Sequence, residues 1–402
     1  MYADFVITPI LAQHADKPPG RNDRRTGMIV ASPRSRCEEV RTLGVFDAVA
    51  GEGHEQILYG YDEVSGLRAI IAIHSTALGP ALGGTRFFPY ETEEEALEDA
   101  LRLSKGMTYK AAVTGLDLGG GKAVIIGDPR EMKSERLFRA YGRIVDSLQG
   151  RYITAEDVGT TTRDMDLVRR ETRWALGASV AEGGAGDPSP VTARGLLNAA
   201  RAVALKLWGD SDLAGRRFAV QGVGKVGSAF VQLLVESRAE VMVTDAYERA
   251  IDSAVENYDV KAVEPEEIYS VDCDILSPCA LGAGLNTETI PRLNCQAIVG
   301  SANNQLATDA DADRLAERGI LYAPDFVVNA GGLINVYDEL LGYSKTRALH
   351  RVDGIYDATL KILDKAESHG ITPNEAAVMV ADERIRDIGD LRRFRRSGDD
   401  RN

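Results

Sequence analysis

Three glycines at fixed spacing, Gly222-Val223-Gly224-Lys225-Val226-Gly227, follow the apolar run Phe218-Ala219-Val220 and open Ser228–Glu236, a segment with helical apolar spacing. In a strand–loop–helix unit each glycine has a separate task. Gly222 permits the tight turn, Gly224 lets main chain approach a pyrophosphate, and Gly227 lets the helix pack close on its strand. The unpaired amides of the first helical turn, which includes Lys225 and Val226, then face the phosphates. A second apolar run, Val241–Thr244, ends in Asp245, 18 residues after Gly227. That is near the spacing of the acid that bonds the ribose hydroxyls of a dinucleotide. A carboxylate there repels a 2′-phosphate, so the pattern predicts NAD rather than NADP. Read blandly, Asp245 is an ordinary acid at a strand end.

A second concentration of chemistry lies upstream, where glycine repeatedly stands beside lysine or acid. The strings are Ala81-Leu82-Gly83-Gly84-Thr85-Arg86, Lys105-Gly106-Met107-Thr108-Tyr109-Lys110, Gly119-Gly120-Gly121-Lys122 and Ala155-Glu156-Asp157-Val158-Gly159. Three consecutive glycines are costly in backbone entropy. Such a run is expected where main chain must approach a ligand closely.

The elements that hold these residues follow from periodicity. Ile57–Tyr61 and Leu67–His74 are β-rich runs joined by a turn-forming segment, which predicts a hairpin. Thr92-Glu93-Glu94-Glu95 reads as a capping box, with Glu95 reaching back to the cap. The helix it opens carries Leu97, Ala100, Leu101 and Ser104 on one face. Ala123–Ile126 is a short buried strand, and Ser134 opens a further helix. From Val191 to Asn329 short apolar runs (Phe218–Val220, Val241–Thr244, Asp274–Leu276, Ala297–Val299, Ile320–Tyr322) alternate with helical segments, the pattern of a doubly wound parallel sheet. The chain then reads as helical through Arg386. The expected organisation is α/β with two domains and a cleft. Residues 43–185 plus 330–386 form a substrate domain on which the last helices fold back, and 186–329 form a Rossmann-type NAD-binding domain. Residues 1–42, with Met28 as an alternative start, and 387–402 are expected to be disordered extensions.

Composition sets limits on partners. The 402 residues suffice for two or three domains with a sizeable core. With 61 acidic and 47 basic side chains the net charge is −14, which argues against nucleic acid or an anionic membrane as partner. No apolar run nears the ~20 residues needed to span a bilayer, and Phe5–Ala12 lacks the basic leader of a secretory signal. Cys37, Cys273, Cys279 and Cys295 form no Cys-x-x-Cys pair and have no histidine cluster beside them, so no metal site is expected. Free thiols in a reducing cytoplasm are the simpler reading.

Gly79-Pro80-Ala81-Leu82-Gly83-Gly84-Thr85-Arg86, the pair Lys110 and Lys122, Asp157-Val158-Gly159 and Asn329-Ala330-Gly331-Gly332 together resemble the amino-acid dehydrogenase family of glutamate, leucine, phenylalanine and valine dehydrogenases. The likeness is greatest to leucine and valine dehydrogenases and runs from about residue 54 to 385. The resemblance implies that Lys110 holds the substrate α-carboxylate, that Lys122 is the catalytic lysine and that Asp157 moves protons. It also implies that Gly83 and Gly84 offer close backbone to the substrate. Thr192, Asn303 and Asn304 correspond to contacts on the nicotinamide side, and Pro278-Cys279-Ala280 to a segment lining the cofactor groove. Members of the family are usually oligomers, so a homo-oligomer is expected.

Elementary chemistry is consistent with those roles. Removing a hydride from Cα of an amino acid leaves an iminium that water must attack, and the water needs a base. A lysine with the usual pKa of ~10.4 is protonated at neutral pH. Burial beside a second cation such as Lys110 disfavours its charge, whereas an ionised Asp157 favours it. Glutamate-specific members carry lysine where Leu82 stands and serine where Val336 stands. Here both are apolar, and a buried carboxylate without a partner costs several kcal/mol. Leu82, Ala155, Leu333 and Val336 are therefore expected to line a pocket for leucine, valine or isoleucine, with leucine at 333 narrowing it. Phenylalanine is the alternative substrate, and ordinary core packing is the plain alternative for all four residues. A non-catalytic NAD-binding sensor on the same fold would be expected to have lost Lys110, Lys122 or Asp157. A 2-hydroxy-acid dehydrogenase would need a histidine–carboxylate relay, and no histidine lies in the glycine-lysine cluster.

Overall fold

In the computed structural model, residues 45–392 are described, apart from Leu281. The expected N-terminal extension, Met28 and Cys37 lie outside the described residues.

The first sheet has five strands in the order β1-β2-β4-β3-β5: β1 (Gln56–Asp62), β2 (Leu67–Ser75), β3 (Ala81–Phe88), β4 (Gly119–Ile126) and β5 (Tyr152–Glu156). The expected hairpin is present as antiparallel β1 and β2, β4 runs antiparallel to β2, and β3 lies parallel to both β4 and β5. Alternation on β2 and β4 separates two cores. Ile70, Ala72 and Val124 pack with Leu97, Ala100 and Leu101 of the helix Glu93–Val113. Ala69, Ile71, Ile73, Ala123 and Ile125 pack on the other side with Leu137, Phe138, Tyr141 and Val145 of the helix Glu135–Ser147. Both faces are thus covered, as the continuous apolar run of β2 requires. Thr92 caps the first of these helices through Glu95 N–H, but the Glu95 carboxylate accepts from Glu91 N–H rather than from Thr92, so the box is shifted by one residue.

The second sheet is parallel throughout, in the order β11-β10-β9-β6-β7-β8: β6 (Arg217–Gln221), β7 (Glu240–Thr244), β8 (Val260–Ala262), β9 (Ile275–Pro278), β10 (Ala297–Ile298) and β11 (Leu321–Tyr322). Strand order reverses beside β6, with β7 on one side and β9 on the other. Ligands of open parallel sheets bind at the carboxyl ends of strands at such a reversal. The helix Ser189–Trp208 packs against Ile355–His369, and the last helix, Pro373–Arg392, returns to Glu93–Val113 of the first sheet. Arg384 ties that return by donating to Gly115 C=O at 3.0 Å and Asp117 at 2.9 Å. Helix continues to Arg392, past the expected end at Arg386.

Candidate active site

Lys122 is carried by β4, paired with Ala72 of β2, and only 5% of it is exposed. Its Nζ donates to Asp157 Oδ2 at 2.7 Å, just beyond the end of β5. Asp157 is steadied from its own main chain: its N–H donates to Thr160 Oγ1, whose hydroxyl lies 2.9 Å from Thr85 C=O on β3. Burial pushes the Asp157 carboxyl up, but Lys122 and then Arg86 outweigh it and hold it at about 2. Lys110 is in the last turn of the helix Glu93–Val113, where a cation complements the helix dipole. Burial pushes its ammonium down to about 8; Asp325 opposes that shift, and nearby Lys122 adds to it. The three residues singled out from sequence therefore share one electrostatic neighbourhood, with Lys122 paired to Asp157 and Lys110 close enough to feel both.

Glycines make this approach possible, though not in the way expected. A Cβ on Gly83 would lie 1.6 Å from Gly121 C=O, and one on Gly84 would lie 2.5 Å from Glu156 C=O and 2.9 Å from Asp157 Cβ. A Cβ on Gly120 would sit 2.1 Å from Thr108 Oγ1 and 2.4 Å from Ser104 C=O. The expectation that Gly119-Gly120-Gly121 faces a ligand is corrected: each is stripped of its side chain so that strand can meet strand, helix or the Tyr152 ring. The consequence for chemistry is indirect. It is the close seating of β4 between β3 and the helix that puts Lys122 beside Asp157 and near Lys110.

Leu82 (β3), Ala155 (β5) and Leu333 (helix Gly331–Glu339) are buried in one apolar cluster, with Val336 packed against it. Ala155 is registered directly beside Gly84. The cluster offers a carboxylate side chain no cation among these four positions.

The dinucleotide loop fits its expected ligand on observations of this chain. Gly222 has φ +98°, and a Cβ there would strike Ala280. A Cβ on Gly227 would lie 1.9 Å from Gly222 C=O, whereas the corresponding position on Gly224 faces open space. Gly224 caps the helix Lys225–Glu236 without a side-chain bond, so the first-turn amides of Lys225, Val226 and Gly227 are presented outward. Lys225 is exposed, 4.0 Å from Asp187. Asp245 Oδ2 accepts from Val223 N–H at 2.8 Å and Oδ1 from Tyr247 N–H at 3.0 Å, so the acid also braces the glycine loop. Each oxygen retains a lone pair for a ribose hydroxyl. Cys279 N–H donates to Gln221 C=O, which sets Pro278-Cys279-Ala280 against the same loop, and burial pushes the Cys279 thiol up. Asn304 takes φ +52°, and Asn303 Oδ1 accepts from Asn329 Nδ2 at 2.8 Å. Thr192 is buried, its hydroxyl donating to Pro188 C=O at 3.1 Å, against Gly331 and Gly332.

Sequence reading gave no role to three charged groups here, Arg86, Asp99 and Asp325. Arg86 Nε donates to Asp157 Oδ2 at 3.1 Å and its Nη1 to Asp99 Oδ2 at 2.8 Å. Asp325 accepts from Gln305 N–H and is felt by Lys110; burial raises its carboxyl. Its position just after β11, at the carboxyl edge of the parallel sheet, was the available signal. For Arg86 no periodic signal existed. His54 and His74 pack edge to face at 4.8 Å and bond the hydroxyls of Ser104 and Thr108.

Residues 56–174 match the family described as Glu/Leu/Phe/Val dehydrogenase, dimerisation domain, and residues 239–392 match Glutamate/Leucine/Phenylalanine/Valine dehydrogenase. A leucine dehydrogenase of Bacillus cereus is 52% identical over 360 residues, which is 89% of this chain and 98% of that protein. A valine dehydrogenase of Streptomyces virginiae is 52% identical over 83% of this chain and 94% of its own length. The crystal structure of an L-tryptophan dehydrogenase from Nostoc punctiforme superposes with a TM-score of 0.78 at 44% identity, covering 86% of this chain and 99% of that one.

Proposed function

Because this chain belongs to the Glu/Leu/Phe/Val dehydrogenase family, we propose how its own residues divide the work. The protein is an NAD-dependent amino-acid dehydrogenase acting on branched aliphatic L-amino acids. It converts leucine, valine or isoleucine to the 2-oxo acid and ammonia, and runs the reverse reductive amination. NAD, when bound, accepts the hydride from Cα.

Lys110, cationic below about pH 8, holds the substrate α-carboxylate. Asp157, a carboxylate at any working pH, accepts a hydrogen bond from the substrate ammonium and takes one proton from it, so that the Cα hydride departs from the neutral amine. The iminium that results lies beside Asp157, now protonated. Lys122, in its neutral form, removes a proton from water as the water oxygen bonds the iminium carbon. Asp157 returns its proton to the carbinolamine nitrogen and takes the hydroxyl proton as the C–N bond breaks, giving oxo acid and ammonia, and the 2.7 Å Lys122–Asp157 contact offers a proton a path between the two groups. Leu82, Ala155, Leu333 and Val336 receive the side chain, and Gly83 and Gly84 lie at the substrate's backbone. The Gly222–Gly227 loop with Lys225 and Val226, Asp245, Thr192, Pro278, Cys279, Ala280, Asn303 and Asn304 hold NAD.

The observation that carries this reading is the buried Lys122–Asp157 pair within reach of Lys110. Its test is a Lys122→Ala variant, in which turnover is expected to fall by ~10²–10⁴ with NAD affinity unchanged. Undiminished turnover overturns it. NADH formation over a panel of L-amino acids, repeated with NADP, reads the specificity.

We further take residues 43–185 with 330–386 as the substrate domain and 186–329 as the NAD domain, supported by the separation of the two sheets. A homo-oligomer is supported by β1, an edge strand among the described residues, on which Tyr59 and Tyr61 are exposed. Sedimentation of a Tyr59→Glu, Tyr61→Glu variant tests that edge. A cytoplasmic setting is supported by the free thiols of Cys273, Cys279 and Cys295. The net charge of −14 supports small molecules, rather than nucleic acid or membrane, as partners.

A further inference from the structure

Arg86 has no part in the reaction scheme above, yet it binds the scheme's central carboxylate. Asp157 Oδ2 receives Lys122 Nζ at 2.7 Å and Arg86 Nε at 3.1 Å. Behind Arg86, Asp99 Oδ2 accepts from Arg86 Nη1 at 2.8 Å and from the Tyr90 hydroxyl at 2.7 Å. Arg102 holds the other oxygen of Asp99 at 2.8 Å. The Arg86 side chain is 23% exposed and that of Asp99 is 14%, so the guanidinium is fixed in a partly dry setting. The two cations on Asp157 differ in kind. Lys122 has to gain and lose a proton in each turnover, whereas a guanidinium never does. Whenever Lys122 is neutral, Asp157 without Arg86 would be a largely enclosed carboxylate short of counter-charge, the situation that drives protonation.

We propose that Arg86, locked by Asp99, is a positioning residue that holds Asp157 ionised and aimed, ready to take the substrate's proton, in the state where Lys122 is neutral. This rests on the functional reading above and deepens it. The charged groups facing Asp157 are Lys122 from β4, Arg86 from β3 and Lys110 from the helix Glu93–Val113; Asp99, Tyr90 and Arg102 stand behind Arg86. Removing Arg86 takes one cation away from the Lys122–Asp157 pair, so the pair as a whole takes up a proton at higher pH. A lysine at 86 would keep the charge but has one nitrogen where the guanidinium fork spans two carboxylates.

The test is the pH dependence of kcat/KM for L-leucine, the direction that needs neutral Lys122 and ionised Asp157, in Arg86→Gln and Arg86→Lys, with the KM for NADH measured alongside in the reverse direction. In Arg86→Gln the acid-side fall-off is expected to move up by about one pH unit or more. Its kcat should drop by roughly 10- to 100-fold, with the KM for NADH within about twofold of wild type. Arg86→Lys should recover the fall-off toward the wild-type position while kcat stays reduced. A fall-off in Arg86→Gln that coincides with wild type overturns the proposal, whatever the loss of rate, since Arg86 would then only brace β3. Should Arg86→Gln not fold, Arg86→Lys decides: full kcat overturns, and a kcat reduced about tenfold at unchanged KM for NADH supports. A wild-type enzyme without turnover on any amino acid would instead overturn the functional reading, so the two failures are separable.

Discussion

Of Lys110 and Asp157, Lys110 is the one whose charge changes close to working pH. Burial depresses its ammonium to about 8, with Asp325 and Lys122 pulling in opposite directions on what remains. In the free enzyme it is cationic below that pH and neutral above it, so attraction for a carboxylate is lost as pH rises. The KM for the 2-oxo acid, which has no titrating group in this range, should therefore rise above pH 8, approaching about tenfold per unit. Lys110→Met should raise that KM by ~30-fold or more and remove the pH dependence, since truncating one partner of a buried charge pair costs ~2–5 kcal/mol. Stability should move the other way. Between about pH 8 and ~10.4 the unfolded chain binds a proton at this lysine that the folded chain does not, so stability increases with pH across that window. Urea unfolding of wild type and Lys110→Met at pH 7.5 and 9.5 would show whether the gain vanishes with the amine. Among charged residues at this scale, sequence revealed those with motif spacing, Lys110, Lys122 and Asp157. Arg86 stayed silent because its role is set by a side-chain network between β3 and a helix, which no periodicity encodes.

At the scale of elements, what was legible and what was not divides along glycine content. β1, β2, β6 and β7 are rich in β-branched, aromatic or alternating apolar residues and could be read almost to their ends. β3 and the first half of β4, which carry Gly83-Gly84 and Gly119-Gly120-Gly121, gave no strand signal because glycine weakens strand propensity and offers no alternation. The physical reason they are strands is tertiary: neighbouring backbone and side-chain atoms occupy the space where their Cβ atoms would be. Gly120→Ala tests this directly. Its Cβ would meet Thr108 N at 2.2 Å, main chain of the helix whose last turn carries Lys110, so the helix rather than a flexible side chain must shift. The expected result is a stability loss of ~1–3 kcal/mol or more, together with a raised KM for the 2-oxo acid and an unchanged KM for NADH. A loss of stability with both constants unchanged would mean that the helix position does not set Lys110. On the other sheet, Asp245→Ser removes the charge that opposes a 2′-phosphate while keeping a short hydrogen-bonding side chain. The ratio of kcat/KM for NAD over NADP should fall by about tenfold or more, equivalent to ~1.4 kcal/mol of relieved repulsion.

At the scale of the whole molecule, residues far apart in sequence must be held in one register for hydride transfer, and Glu339 is a place where that holding is visible. It lies on the helix that also bears Leu333 and Val336, and its carboxylate accepts from Gly177 N–H at 3.1 Å and from Ala185 N–H at 2.8 Å. Those amides belong to the connection leaving the first sheet, so one side chain clasps the pocket's third wall to the chain that carries β5. Burial raises the Glu339 carboxyl above its usual range, with the two amides opposing that rise. A raised carboxyl stabilises the fold most when protonated, so its contribution is present at low pH and diminishes as pH climbs through the folded value. Neutral glutamine, able to accept from one amide, should therefore be tolerated, whereas Glu339→Ala leaves two amides without partners and should cost ~2–6 kcal/mol at ~1–3 kcal/mol per unsatisfied group. Because the clasp positions the side-chain pocket and not the dinucleotide loop, Glu339→Ala should also raise the KM for leucine more than the KM for NAD. Equal changes in both constants would instead mean that the two lobes move as one body and that Glu339 contributes to stability alone.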